Sequence, residues 1–167
     1  LSSITGGLLE IYGVTINGGS VAASAVAFNN SGTLNIFQGT IDMNAGGTNS
    51  GPRNIAAGAR LRYHASYTHN AGSTTGGSGT LVLDGGTQTV GGNWTLASYA
   101  QLLQGALSGP GNLTLGGPLS WGAGSISGPG SLIITAQGKL ALTTYADHIL
   151  ARTIANHGQL HFLNGSW

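Results

Sequence analysis

Apolar residues recur along the chain as short alternating pairs, not as helical ridges. One stripe of i, i+2 pairs runs Ile41/Met43, Leu61/Tyr63, Leu81/Leu83, Leu119/Trp121, Leu140/Leu142 and Leu160/Phe162; Leu103 fills the gap near 101, and Val21 lies one period before Ile41. A second stripe runs Val14/Ile16, Leu34/Ile36, Ile55, Trp94/Leu96, Leu113/Leu115, Leu132/Ile134 and Ile154, with a weak place near Thr75. A third and poorer one collects Val26/Phe28, Val90, Leu107, Ile126 and Ile149. Each i, i+2 pair sends its side chains to one face of a strand. Three offset stripes within one period therefore predict three short strands per repeat.

The period is visible directly. Gly105-Ala-Leu-Ser-Gly-Pro-Gly-Asn-Leu113 returns as Gly124-Ser-Ile-Ser-Gly-Pro-Gly-Ser-Leu132, 19 residues further on. Glycines stand ahead of the first stripe, from Gly19 and Gly39 to Gly138 and Gly158, where bends between faces are needed. One such repeat cannot bury its own apolar side, but stacked repeats share a core. The prediction is an all-β fold, a single-stranded parallel β-helix (β-solenoid) of about eight coils of roughly 19–22 residues with three short strands per coil. It forms one continuous domain over residues 1–167. Helical spacing is interrupted by glycine almost everywhere; only Tyr145 to Ile154 is open to a short helical turn.

Composition changes the picture in one respect. Charged residues make up 5% of the chain, against about a quarter in an average globular protein. With 31 glycines the sequence could be read as disordered, but disordered chains are usually charged and poor in aliphatic residues, whereas Leu, Ile and Val recur here throughout. A net charge of +1 supplies no basic face for nucleic acid. No run of about 18 apolar residues could span a membrane as a helix. Without cysteine there is no disulfide frame. The chain starts at Leu1 without Met or a signal peptide and stops at Trp167 inside an unfinished repeat. It reads as a portion of something longer.

The register places the charges. Arg60, Arg62 and His64 alternate with inward Leu61 and Tyr63, so they face outward; Asp42 lies one coil before Arg62 and Asp84 beside His64 one coil after. Opposite charges on neighbouring strands are an ordinary stabilising pair, so a cross-coil charge ladder is the expected reading. Asn29, Asn49 and His69 fall at spacings of twenty and read as a polar turn ladder. Trp94 and Trp121 fall on inward positions.

The recurring units Gly32-Thr-Leu-Asn-Ile36, Gly79-Thr-Leu-Val-Leu83, Gly111-Asn-Leu-Thr-Leu115 and Gly130-Ser-Leu-Ile-Ile134 resemble bacterial filamentous-haemagglutinin and autotransporter-passenger repeats. That resemblance implies a right-handed parallel β-helix, secretion to the extracellular space or cell surface, and adhesion. It implies no catalytic residue.

Chemistry is sparse. The acids are Glu10, Asp42, Asp84 and Asp147; Asp42 and Asp84 should stand apart by more than about 10 Å from strand spacing, with Arg62 between them. That is at or past the upper end of what a pair of glycosidase carboxylates uses. His157 and His161 have a spacing that unites ligands on a helix but not on a strand, with His148 one coil away. No catalytic, cofactor or metal site is expected, and the chain is read as a non-enzyme. The leading function is a structural or adhesive segment of a secreted fibre or surface protein, a rigid rod that associates end to end with its own kind. A carbohydrate-binding β-helix module is the alternative: Tyr12, Tyr67 and Tyr99 are less constrained by the stripes and could offer a glycan platform, with Tyr67 and Tyr99 as the expected glycan contacts; a polysaccharide-active enzyme is the third reading.

Overall fold

A computed structural model of the chain describes residues 8–11, 20–23 and 27–162, with side chains from 27 to 162. Among the described residues there are nineteen strands and no helix, and all the strands join one sheet. The ladders are parallel, each strand pairing with its equivalent one repeat later, which coils the chain into a β-solenoid of about seven turns. Tyr12, Val14, Ile16, Gly19 and Val26, which the sequence pattern places on stripes, bends or a surface, lie outside the described residues.

The three stripes are the three faces. The first face stacks Ser20–Ala23, Thr40–Met43, Arg60–Tyr63, the starts of Thr80–Val90 and Tyr99–Ser108, then Pro118–Trp121, Lys139–Leu142 and Gln159–Phe162. The second stacks Leu8–Ile11, Thr33–Ile36, Pro52–Ile55, Thr74–Gly76, Trp94–Leu96 and Leu113–Leu115, followed by the later parts of Gly124–Ile134 and His148–Asn156. The third lies between them along each coil: Phe28–Asn30, Gly47–Asn49, Tyr67–His69, the ends of Thr80–Val90 and Tyr99–Ser108, and the starts of Gly124–Ile134 and His148–Asn156.

Alternation does the sorting. In Thr40–Met43 and Arg60–Tyr63 the apolar pair is buried and its neighbours are not. Leu34, Ile36, Leu61, Leu81, Leu83, Trp94, Leu113, Leu132 and Ile134 are fully enclosed, and Trp121 nearly so. Both tryptophans therefore serve the core, as their stripe positions predict.

Three local expectations change. The inward pair of the coil near 101 is Ala100 and Leu102, both fully buried, while Leu103 turns outward; the pairing Leu102 with Trp121 sets the parity, so Leu103 falls on the wrong side. Leu150, not Ile149, takes the rung above Ile126. The segment from Tyr145 forms no helical turn: residues from His148 onward are the strand His148–Asn156, because the ladder below offers eight backbone partners that a helix would forfeit. Most coil steps keep to the predicted length. Ser125 to Ile149 is longer because residues 143–147 bulge out as a loop between the first and third faces.

One corner shows why glycine recurs. Gly128 has φ 102° and sits on Gly109 with φ 115°, both in the left-handed region. A Cβ on Gly128 would come within 2.6 Å of the Gly109 carbonyl oxygen, and one on Gly130 within 2.1 Å of that of Gly111. The duplicated Gly-Pro-Gly is thus a stacked corner in which backbones touch. Above it, Arg152 donates from Nη2 to the Gly109 and Gly111 carbonyls at 2.6 and 3.2 Å.

Candidate functional site

On the outer side of the first face the ladder brings four coils' polar side chains into one row. Asp42 pairs in register with Arg62, and their ion pair measures 3.9 Å. His64 follows at the strand end and reaches both ways: its Nε2 is 3.4 Å from Asp42 and its Nδ1 3.7 Å from Asp84. Asp84 in turn accepts from Gln104 Nε2 at 3.0 Å. The expected charge ladder is present, with one revision: His64, rather than Arg62, stands between the two aspartates. An imidazole thus fills the gap where a glycosidase would hold water and sugar. Glu10 has no described side chain, and Asp147 is exposed on the loop after Lys139–Leu142.

The two tyrosines expected at a glycan surface part company. Tyr99 is 39% exposed, and its hydroxyl accepts from Gln101 at 3.0 Å. Tyr67 is 2% exposed. Its hydroxyl donates to the backbone carbonyls of Thr48, at 3.2 Å, and of Phe28. Burial holds that hydroxyl protonated far above its ordinary range, with the neighbouring Tyr63 adding to the effect. Tyr67 shares parity with His69 on a strand whose inward side is packed, so it is a core ring and cannot reach a glycan.

Around Tyr67 lies what the sequence pattern missed. Arg53 projects inward from Pro52–Ile55, two residues before Ile55, and is almost wholly buried. Its Nη1 donates to Tyr63 Oη at 2.8 Å and meets His69 Nδ1 at 3.0 Å. Arginine can only donate, so His69 Nδ1 accepts and the imidazole proton sits on Nε2, which donates to Gln88 Oε1 at 3.2 Å. Gln88 Nε2 then donates to the Ala65 carbonyl at 3.0 Å. The His69 ring stacks on Trp94 at 3.6 Å and 16°, with the Arg53 guanidinium 5.3 Å from the same indole. Desolvation, with Arg53 alongside, holds His69 neutral well below its ordinary pKa. Burial likewise pushes the Tyr63 hydroxyl up, and Arg53 opposes that only in part. Arg53 Nη2 has no hydrogen-bond partner among the described residues.

The polar ladder joins this cluster from below. Asn30, not Asn29, is the inward member: Asn30 Nδ2 donates to Asn49 Oδ1 at 2.8 Å, and Asn49 Nδ2 to Ser73 Oγ at 3.1 Å. Asn49 pairs in register with Asn30 and His69. Asn29 instead faces outward and accepts from the Thr48 hydroxyl and amide.

Near the last described strands, Trp121, Leu140, Leu142, His148, Leu150, Leu160 and Phe162 line an apolar hollow of about 330 Å³. His148 is tied there to the Trp121 carbonyl at 3.0 Å and packs edge-on against its indole. No group of three or more His, Cys, Asp or Glu side chains is arranged to hold a metal among the described residues, so His148, His157 and His161 are not assembled into a centre. No described helix is long and apolar enough to cross a membrane.

Compared with known proteins, the chain matches the sequence model of a haemagglutinin repeat over residues 1–42, 36–144 and 106–164. No curated protein and no solved structure matches it.

Proposed function

Since the chain belongs to the haemagglutinin-repeat family, we propose that it serves as a rigid, non-enzymatic rod in a secreted or surface-exposed adhesin, continuous over its length and joining its own kind end to end. The family is of a non-enzymatic adhesin type, typically secreted or surface-exposed, and the family and fold together support an adhesin-like fibre segment. The observation that carries the reading is the family match across the chain, on a solenoid whose described strands all join one parallel sheet. Such a stack sums nearest-neighbour interfaces into a stiff body. The charged row on its flank is already spent on internal pairs.

End-to-end contact draws support from the last described coil, where Leu150 and Phe162 remain 41% and 48% exposed beside the apolar hollow. Parallel strands with open edges accept further strands. Negative-stain electron microscopy of the purified chain tests this: linear assemblies are expected, and monodisperse single particles at all concentrations would remove self-association from the proposal.

Exposed Tyr99 beside Gln101 favours a second reading, a glycan contact on the outer first face. Binding on a glycan array that disappears in Tyr99→Ala would support it, and an array blank for the unaltered chain would leave the rod alone.

A further inference from the structure

The cluster around His69 has no role in the rod beyond packing, yet its chemistry is specific. We propose that the coils spanning Pro52–Ile55 to Trp94–Leu96 form an acid-labile joint, in which protonation of His69 breaks the buried network and opens this stretch while the leucine-cored coils after it stay closed.

The geometry leaves His69 nowhere to put a second proton. Nδ1 already accepts from Arg53, and Nε2 carries the proton donated to Gln88. A proton on Nδ1 would face the Arg53 donor at 3.0 Å, setting one cation against another in a fully enclosed space. The groups facing the ring from each packed strand are Arg53 from Pro52–Ile55, Tyr63 from Arg60–Tyr63, Tyr67 on its own strand, Asn49 below, and Gln88 and Trp94 above. None is a carboxylate. The nearest acids in the register, Asp42 and Asp84, point outward to His64.

The sign follows from linkage. An unfolded or opened strand lets His69 take up a proton near pH 6.5, its ordinary value. The folded coil does not. Below that pH the open state binds more protons than the closed one, so stability of this stretch falls as pH falls. Solenoid coils interact only with neighbours, so a local opening need not melt the whole rod.

Amide hydrogen exchange on the 167-residue chain, followed between pH 7.5 and 5 and corrected for intrinsic exchange, tests the joint. The opening constant for Tyr67–His69 and Thr74–Gly76 should rise about tenfold per pH unit below about 6.5, while Leu113–Leu115 and Leu132–Ile134 stay nearly flat. His69→Gln should abolish the rise, and His64→Gln should keep it. If His69→Gln does not fold at pH 7.5, the contrast between the two stretches of the unaltered chain decides alone. A flat response in both stretches, an equal rise in both, or a rise that survives in folded His69→Gln would each overturn the proposal.

Discussion

The coils around Arg53, His69 and Gln88 and those around Leu107, Ile126 and Leu132 follow the same backbone path and present the same three faces, but they fill the interior differently. Gln88 and Leu107 make the point: they are register partners one coil apart, and both are fully buried. In the later coils the space is filled mostly by aliphatic side chains, which need only volume and shape, together with the Trp121 indole, whose N–H donates to the Ala123 carbonyl. In the earlier coils a guanidinium, two phenols, an imidazole and amides share it with Ile55, Leu61, Leu81 and Leu83, and each polar group must find a partner. The solenoid backbone tolerates both. What differs is how each half fails: a dry core fails by cavity, a polar core by orphaned groups.

The largest break should come at the seam between the two. Trp94 stacks on His69, donates from Nε1 to Thr75 Oγ1 at 3.2 Å and lies in register with Leu113 of the dry coils. Trp94→Ala should cost about 3–5 kcal/mol by urea unfolding, since it opens a cavity and strips a ring from the polar network at once. A loss under about 1 kcal/mol would mean the stack is not formed.

A paired substitution sharpens the contrast at a single rung. Gln88→Leu leaves the His69 Nε2 proton and the Ala65 carbonyl without partners and should cost about 1–3 kcal/mol. Leu107→Met, one coil away, exchanges one apolar shape for another and should cost less than about 1.5 kcal/mol. Equal effects would erase the distinction drawn between the two interiors. The smallest effect belongs to the exterior. Asp42→Asn removes two partly exposed ion pairs and should shift stability by no more than about 1 kcal/mol, and less in high salt.

The register was legible because aliphatic pairs two residues apart repeat at a nearly constant step, so even the weak place at Thr75 lies on the correct face, fully buried beside Trp94. The polar interior was not, because a polar residue in an alternating pattern reads as outward by default. Parity held the signal. Arg53 stands two before Ile55, Gln88 two before Val90, and Tyr67 two before His69; each shares a side with a neighbour that is itself buried. The same parity moves Tyr67 from surface to core and Leu103 from core to surface. The loop at residues 143–147 escaped for another reason: it lengthens one coil without altering the stripes on either side.

The parallel register is the central claim, and a distance ruler tests it most directly. Thr40 faces outward on the first face; Tyr99 lies three rungs above it, Lys139 five and Gln159 six. Nitroxide labels at position 40 and at each of these in turn, read by pulsed electron paramagnetic resonance, should give separations near 14, 24 and 29 Å, rising by about 4.8 Å per rung. Separations that fail to grow from position 99 to 159, or that scatter broadly without that step, would contradict a stacked parallel coil.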